Sequence, residues 1–275
     1  MNKIGISLSS KEINGRTRFF KEYIEEAIGT GFDFIEIDAA GFSCMIGGEI
    51  IDWLAEPFVE MIKQYRKDMD FILHSPIYAD LGDDSSGSAR GLTGTIELAS
   101  LADIKKVIVH PTDLRSPHNL SIQKANLTEA SWLADLRKVE ILLETQHENP
   151  PSFYINLISD LNIKIGVCPN VGSLGFHHGK NTRYLLEESI DSINNIILSD
   201  NCGIPKPLDK NFPLEDEISM GWGELKLPIG AGILPLNEIL TPIKNKPEID
   251  ITIEIMDRYR DHWKKILENT KNILG

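Results

Sequence analysis

The stretch Val139-Glu140-Ile141-Leu142-Leu143-Glu144-Thr145-Gln146 decides the fold. It is an apolar run of strand type that ends in a carboxylate followed by two polar residues. A buried strand carries a glutamate only where something at its end wants the charge, because an unpaired buried carboxylate is costly. The arrangement recurs along the chain. Phe71-Ile72-Leu73 runs into His74, Val107-Ile108-Val109 into His110, and Ile251-Thr252-Ile253 into Glu254. Two imidazoles and two carboxylates therefore stand at the carboxyl ends of four strand-like segments. In a parallel barrel those ends converge on one face, where the chemistry is built.

Working outward, strand-type and helix-type segments alternate along the whole sequence, which is the signature of βα units. Strands are predicted at Lys3 to about Ser9, 32–37, up to His74, 106–111, up to Glu144, 163–168, 194–200 and 250–254. Helices are predicted between them: one carrying Phe19, Phe20, Tyr23, Ile24, Ala27 and Ile28, then 50–67, 92–101, one carrying Leu127, Ala130, Trp132 and Leu133, one opening at Pro150-Pro151, 181–191, one near Leu236, and 257–274. The spacing leaves a long loop over 75–91 and another of more than thirty residues, rich in Pro and Gly, after Asp200. Eight units with no break in composition predict a single (β/α)8 barrel domain over residues 1–275. No strand reads as an edge, which disfavours an open doubly wound sheet, and no glycine-rich nucleotide fingerprint follows any strand.

The 275 residues are 41% hydrophobic and 25% charged, ordinary values for a globular protein. No apolar run approaches the length of a bilayer span, and the first residues lack the apolar core of a signal peptide. Three widely spaced cysteines, Cys44, Cys168 and Cys202, favour reduced thiols. Together these predict a cytoplasmic protein with no membrane partner. A formal net charge of −13 repels phosphate backbones and argues against a nucleic-acid partner.

The chain resembles the xylose isomerase-like TIM barrels, which include sugar isomerases and epimerases together with apurinic-site endonuclease IV. The resemblance is carried by Gly31-Phe32-Asp33-Phe34-Ile35-Glu36-Ile37, Leu73-His74-Ser75-Pro76-Ile77-Tyr78, Val109-His110-Pro111, Leu143-Glu144-Thr145, Ser199-Asp200-Asn201, Pro228-Ile229-Gly230-Ala231-Gly232 and Ile253-Glu254-Ile255. It implies that His74, His110 and Glu144 match the ligands of one zinc in the nuclease-like members. A second metal there uses the same glutamate, an aspartate and a histidine from later strands, and a glutamate matching Glu254. Sugar isomerases and epimerases mostly keep only that second site, with a single divalent ion. The chain departs from the pattern at Asn170 and Ser173, where Asp and His are usual, at Ile197, where His is usual, and at Glu224 and Lys226, where Asp and His are usual. The nuclease's third zinc site is thus absent, and a remodelled metal site is expected.

The resemblance therefore implies one divalent ion (Zn, Mn or Fe) on His74, His110, Glu144 and Glu254, with Glu144 and Glu254 also as catalytic proton-transfer groups. Substrate contacts are expected from Glu36, Asn170, Asp200, Trp222 and Lys226, and the substrate is expected to be a sugar or sugar phosphate. Bland alternatives stay open. The histidines are equally at home as core side chains bonded to carboxylates. Glu36 suits a salt bridge, Asn170 a turn cap, and Lys226 a solvated loop. His177 and His178 are either replacement ligands or loop surface. Cys168 reads as a small buried hydrophobe, and Trp53, Trp132 and Trp263 as core or interface, which leaves a homo-oligomer open. Two rival functions also stay open: an endonuclease IV-like phosphodiesterase, and a non-catalytic barrel that binds a small molecule.

Overall fold

The structure, a computed structural model, describes residues 2–8, 17–42, 44–76, 79–83, 86–111, 117–145, 149–203, 221 and 223–275. Eight strands form one sheet: β1 Ile4–Leu8, β2 Phe34–Asp38, β3 Asp70–His74, β4 Lys106–Val109, β5 Glu140–Thr145, β6 Gly166–Pro169, β7 Asn195–Leu198 and β8 Asp250–Ile253. Their order is β6-β5-β4-β3-β2-β1-β8-β7, and every ladder is parallel. Parallel bridges Val167–Ile193 and Asn170–Ile197 join the two ends. The sheet is thereby a barrel of the (β/α)8 type, as the alternation predicts.

Strand composition explains the closure. Runs such as Asn195-Ile196-Ile197-Leu198 are buried on both faces, as strands covered by helices outside and side chains inside must be. Outward residues pack against α1 Thr17–Thr30, α2 Asp52–Tyr65, α3 Ser86–Ala102, α4 Pro117–Arg137, α5 Pro151–Leu161 and the C-terminal helix Trp263–Leu274. Inward residues Phe34, Ile72, Ile108, Leu142, Cys168 and Ile197 form a separate apolar cluster inside the barrel. Gly5 makes room for it: a Cβ there would lie 2.3 Å from the Phe34 ring.

Several boundaries differ from the predicted ones, each for a local reason. The loop expected as far as Gly91 is helical from Ser86. The last helix starts only at Trp263, after a 3-10 turn over Asp257–His262. A hairpin pairs Met45–Ile46 with Glu49–Ile50 around Gly47 and Gly48, whose φ values of 59° and 85° suit a tight two-residue turn. A helix over Val171–His178, here α6, was absent from the predicted set; Gly172 and Gly175 weaken its pattern. Both glycines are there for packing, since a Cβ on Gly172 would meet Ser199 Oγ at 2.0 Å and one on Gly175 would meet Leu234 at 2.9 Å. The tryptophans divide: Trp263 is buried, while Trp53 and Trp132 are exposed. None of the described helices is long and apolar enough to cross a membrane.

Candidate functional site

The strand period of two builds the site. Two residues beyond each floor side chain, the next inward position reaches the carboxyl-end face. Phe34 is followed by Glu36, Ile72 by His74, Ile108 by His110, Leu142 by Glu144 and Cys168 by Asn170. Gly5 is followed in the same way by Ser7, and Thr252 by Glu254.

These side chains are joined in a continuous network. Ser7 Oγ donates to Glu36 Oε1 at 2.9 Å, and the same oxygen lies 2.8 Å from His74 Nδ1. On its other edge His74 Nε2 is 3.2 Å from Glu144 Oε2, and His110 Nδ1 is 3.1 Å from that oxygen. The two imidazoles stack with centroids 4.4 Å apart. Asn170 Nδ2 donates to Glu144 Oε1 at 3.0 Å, while its Oδ1 accepts the Ser173 amide at 3.0 Å and so caps α6. Asn170 therefore makes the turn cap that the sequence left open and in addition bonds Glu144. Thr145 Oγ1 accepts the Asn170 amide and ties β5 to β6.

Burial and charge set the protonation. Burial works against the His74 cation, but Glu36 and Glu144 outweigh it and hold its pKa well above the ordinary histidine value. Burial likewise disfavours the Glu144 anion, and hydrogen bonding to His110 and His74 overcomes it, holding the carboxyl well below its ordinary range.

The donor set fits a divalent ion. Ligand atoms of His74, His110 and Glu144 all lie within 4.8 Å of one another. His74 Nε2, at 3.2 Å, and His110 Nδ1, at 3.1 Å, both approach the single oxygen Glu144 Oε2. Three ligand atoms from three strand ends thus meet at one place in the barrel mouth. Two imidazoles and a carboxylate suit zinc, iron or manganese.

Glu254, expected as a fourth ligand, is engaged elsewhere. Its Oε1 accepts from Lys226 Nζ at 2.7 Å, while Oε2 is buried without a partner. Burial works against the Lys226 ammonium, but Glu254 and then Glu224 outweigh it and hold its pKa above the usual lysine range. Lys226 has a left-handed backbone, φ 44°, uncommon for a side chain of this kind. Glu224 joins this second group: burial pushes its carboxyl up to about 7, opposed by Lys226 and reinforced by Glu254 and Glu144. Its Oε1 is also buried and unpartnered. Nothing local in Gly223-Glu224-Leu225 signals such a role, because the partners arrive from β5 and β8.

Asp200 is committed to the backbone. Its carboxylate accepts four amides: Asn201 at 2.8 Å, Gly230 at 3.0 Å, Gly232 at 3.0 Å and Leu234 at 3.2 Å. It thus holds the Pro228–Leu234 loop against the end of β7. Glu36 is fully buried and spent on Ser7 and His74. Ile197 lies in the barrel floor. His177 and His178 sit in the last turn of α6, outside the donor group. Cys168 is also a floor residue, and burial pushes its thiol well up, as expected of a buried hydrophobe. Trp222 lies outside the described residues, so the expected Trp222 contact is neither placed nor displaced.

No protein-family model and no curated protein matches the chain by sequence. Solved structures match it over nearly its full length. A D-tagatose 3-epimerase-like protein is 18% identical, with a TM-score of 0.69 and coverage of 99% of this chain and 98% of that one. A xylose isomerase domain protein from Planctomyces limnophilus is 13% identical, with a TM-score of 0.69 and coverage of 99% and 96%. A D-allulose 3-epimerase from Methylomonas sp. is 12% identical, with a TM-score of 0.71 and coverage of 99% and 98%. The chain shares the (β/α)8 fold of these solved structures, the fold that the sequence resemblance implies.

Proposed function

We propose that the protein is a metal-dependent isomerase or epimerase of a sugar or sugar phosphate. The observation that carries this reading is the convergence of His74, His110 and Glu144 on the same barrel mouth as Glu254, Lys226 and Glu224. The fold it shares with sugar epimerases supports the substrate class.

His74, His110 and Glu144 hold the ion, which when bound supplies Lewis-acid polarisation of sugar oxygens. Proton movement is the work of the second group. Glu254 comes from β8 and Glu144 from β5, three strands away around the barrel, so they approach a bound sugar from different directions. Glu254, paired with the Lys226 ammonium, takes a proton from the carbon next to the carbonyl. The electron pair moves onto the carbonyl oxygen to give an enediolate, whose charge the Lys226 ammonium offsets. A proton returned to the same carbon from the other face gives an epimer; one returned to the former carbonyl carbon, with the neighbouring hydroxyl's proton passing to the first oxygen, gives the isomer. Glu224, whose carboxyl burial pushes up to about 7 and which belongs to the Lys226–Glu254 group, is assigned as the donor.

The test is turnover of ketoses, aldoses and their phosphates by metal-replete protein, together with deuterium uptake from heavy water into the substrate carbon. Glu254→Gln is expected to lower kcat by about 100- to 10,000-fold, the usual worth of a positioned acid or base. Neither turnover nor exchange across the panel would end the isomerase reading. One observation favours a second reading: the gathered residues match those that the resemblance assigns to the first zinc of endonuclease IV-like phosphodiesterases. Cleavage of an abasic-site duplex that is lost in Glu144→Gln would establish it instead.

A further inference from the structure

Glu36 is a fully buried carboxylate that the proposed reaction does not use. Its side chain has no exposed surface through which a substrate hydroxyl could reach it. Oε1 is shared between Ser7 Oγ, at 2.9 Å, and His74 Nδ1, at 2.8 Å, while Oε2 is buried without a partner. A buried anion so placed is expensive unless its charge serves something. The floor beneath fixes its position: Phe34, two residues earlier on β2, fills the space that Gly5 leaves open, and Ser7 stands two residues beyond Gly5 on β1.

An imidazole bonded to a carboxylate through one nitrogen presents the lone pair of the other, in one tautomer and one ring orientation. Here the bonded nitrogen is Nδ1, and the presented one is Nε2, facing Glu144 Oε2 at 3.2 Å. Building on the metal-site reading above, we infer that Glu36, seated by Ser7, is a positioning residue that locks His74 with Nε2 turned into the metal group. His110 faces the same oxygen through Nδ1, so the two histidines offer opposite ring nitrogens to one ion. Glu36 thereby makes the salt bridge that the sequence left open beside a substrate contact, and His74 is its partner.

The test compares zinc affinity, by competition with a chromophoric chelator, in the native protein, Glu36→Gln, Glu36→Leu and Ser7→Ala. Nitrogen-15 NMR of the imidazoles in metal-free and zinc-loaded native protein identifies the nitrogen that binds. Glu36→Leu is expected to bind zinc about 10- to 100-fold more weakly, the usual effect of removing such a partner. Glu36→Gln, which keeps an acceptor and loses the charge, should fall between it and the native protein, with a smaller loss in Ser7→Ala. In the zinc-loaded protein His74 should keep its proton on Nδ1 and bind zinc through Nε2. Unchanged affinity in a folded Glu36→Leu protein, or zinc on His74 Nδ1, would overturn the inference while leaving the metal reading intact. Should Glu36→Leu not fold, the near-isosteric Glu36→Gln and the NMR of the native protein decide. A native protein that takes up no zinc would instead bring down the metal reading, and this inference with it.

Discussion

Glu224 holds its proton to about pH 7 because burial penalises its anion and the neighbouring carboxylates Glu254 and Glu144 repel it. The sign for stability follows from linkage. In the unfolded chain the carboxyl ionises near 4.5, in the folded protein near 7, so as pH rises between those values the group progressively disfavours folding. Glu224→Gln should therefore raise the melting temperature at pH 8 and leave it nearly unchanged at pH 4.5. An equal effect at both pH values would contradict the burial of a titrating group here. His74, His110, Glu144 and Glu254 were legible in the sequence, because a charged residue ending an apolar strand stands out against its surroundings. The resemblance marked the positions of Glu224 and Lys226, but not the Lys226–Glu254 ion pair or the titration of Glu224, since these come from contacts made across the barrel mouth.

Strands were more legible than the short elements that shape the mouth. An apolar run bounded by turn residues reads as a strand from local pattern alone. Helix α6 has only eight residues and two glycines, and it forms because Gly172 and Gly175 fit against Ser199 and Leu234. The Gly47-Gly48 hairpin carried a recognised local signal, yet its strands are only two residues long. The clamp at the end of β7 tests the reading of Asp200 as framework. Asp200→Asn keeps one acceptor and turns donors toward the remaining amides, so a loss of about 3 kcal/mol in unfolding free energy is expected from denaturant titration. A stable variant with only a raised KM would instead return Asp200 to substrate contact. Gly5→Ala should cost about 1–3 kcal/mol by forcing a Cβ into the Phe34 ring, with the floor of the barrel disturbed beneath Glu36.

At the scale of the whole molecule, the alternation of elements alone pointed to the eight-stranded barrel, and the mutual convergence of strand ends then follows from closure. What alternation could not say is which strand-end groups would meet. Three of the four expected ligands gather, while the fourth is held by a lysine. The net charge of −13 separates the two enzymatic readings, because it opposes the counterion release that drives duplex binding. An abasic-site duplex should show no saturable binding by fluorescence anisotropy at low salt; tight, salt-sensitive binding would favour the phosphodiesterase. The central claim is that His74, His110 and Glu144 form a working metal site. Its most direct test is the metal content of protein purified without a metal-binding tag, for the native chain and for His110→Ala. About one equivalent of zinc, manganese or iron in the native protein, lost in the variant, is the predicted result for a site of three ligands. No metal in either protein, even after soaking, would contradict it and leave a barrel that binds its ligand through these side chains alone.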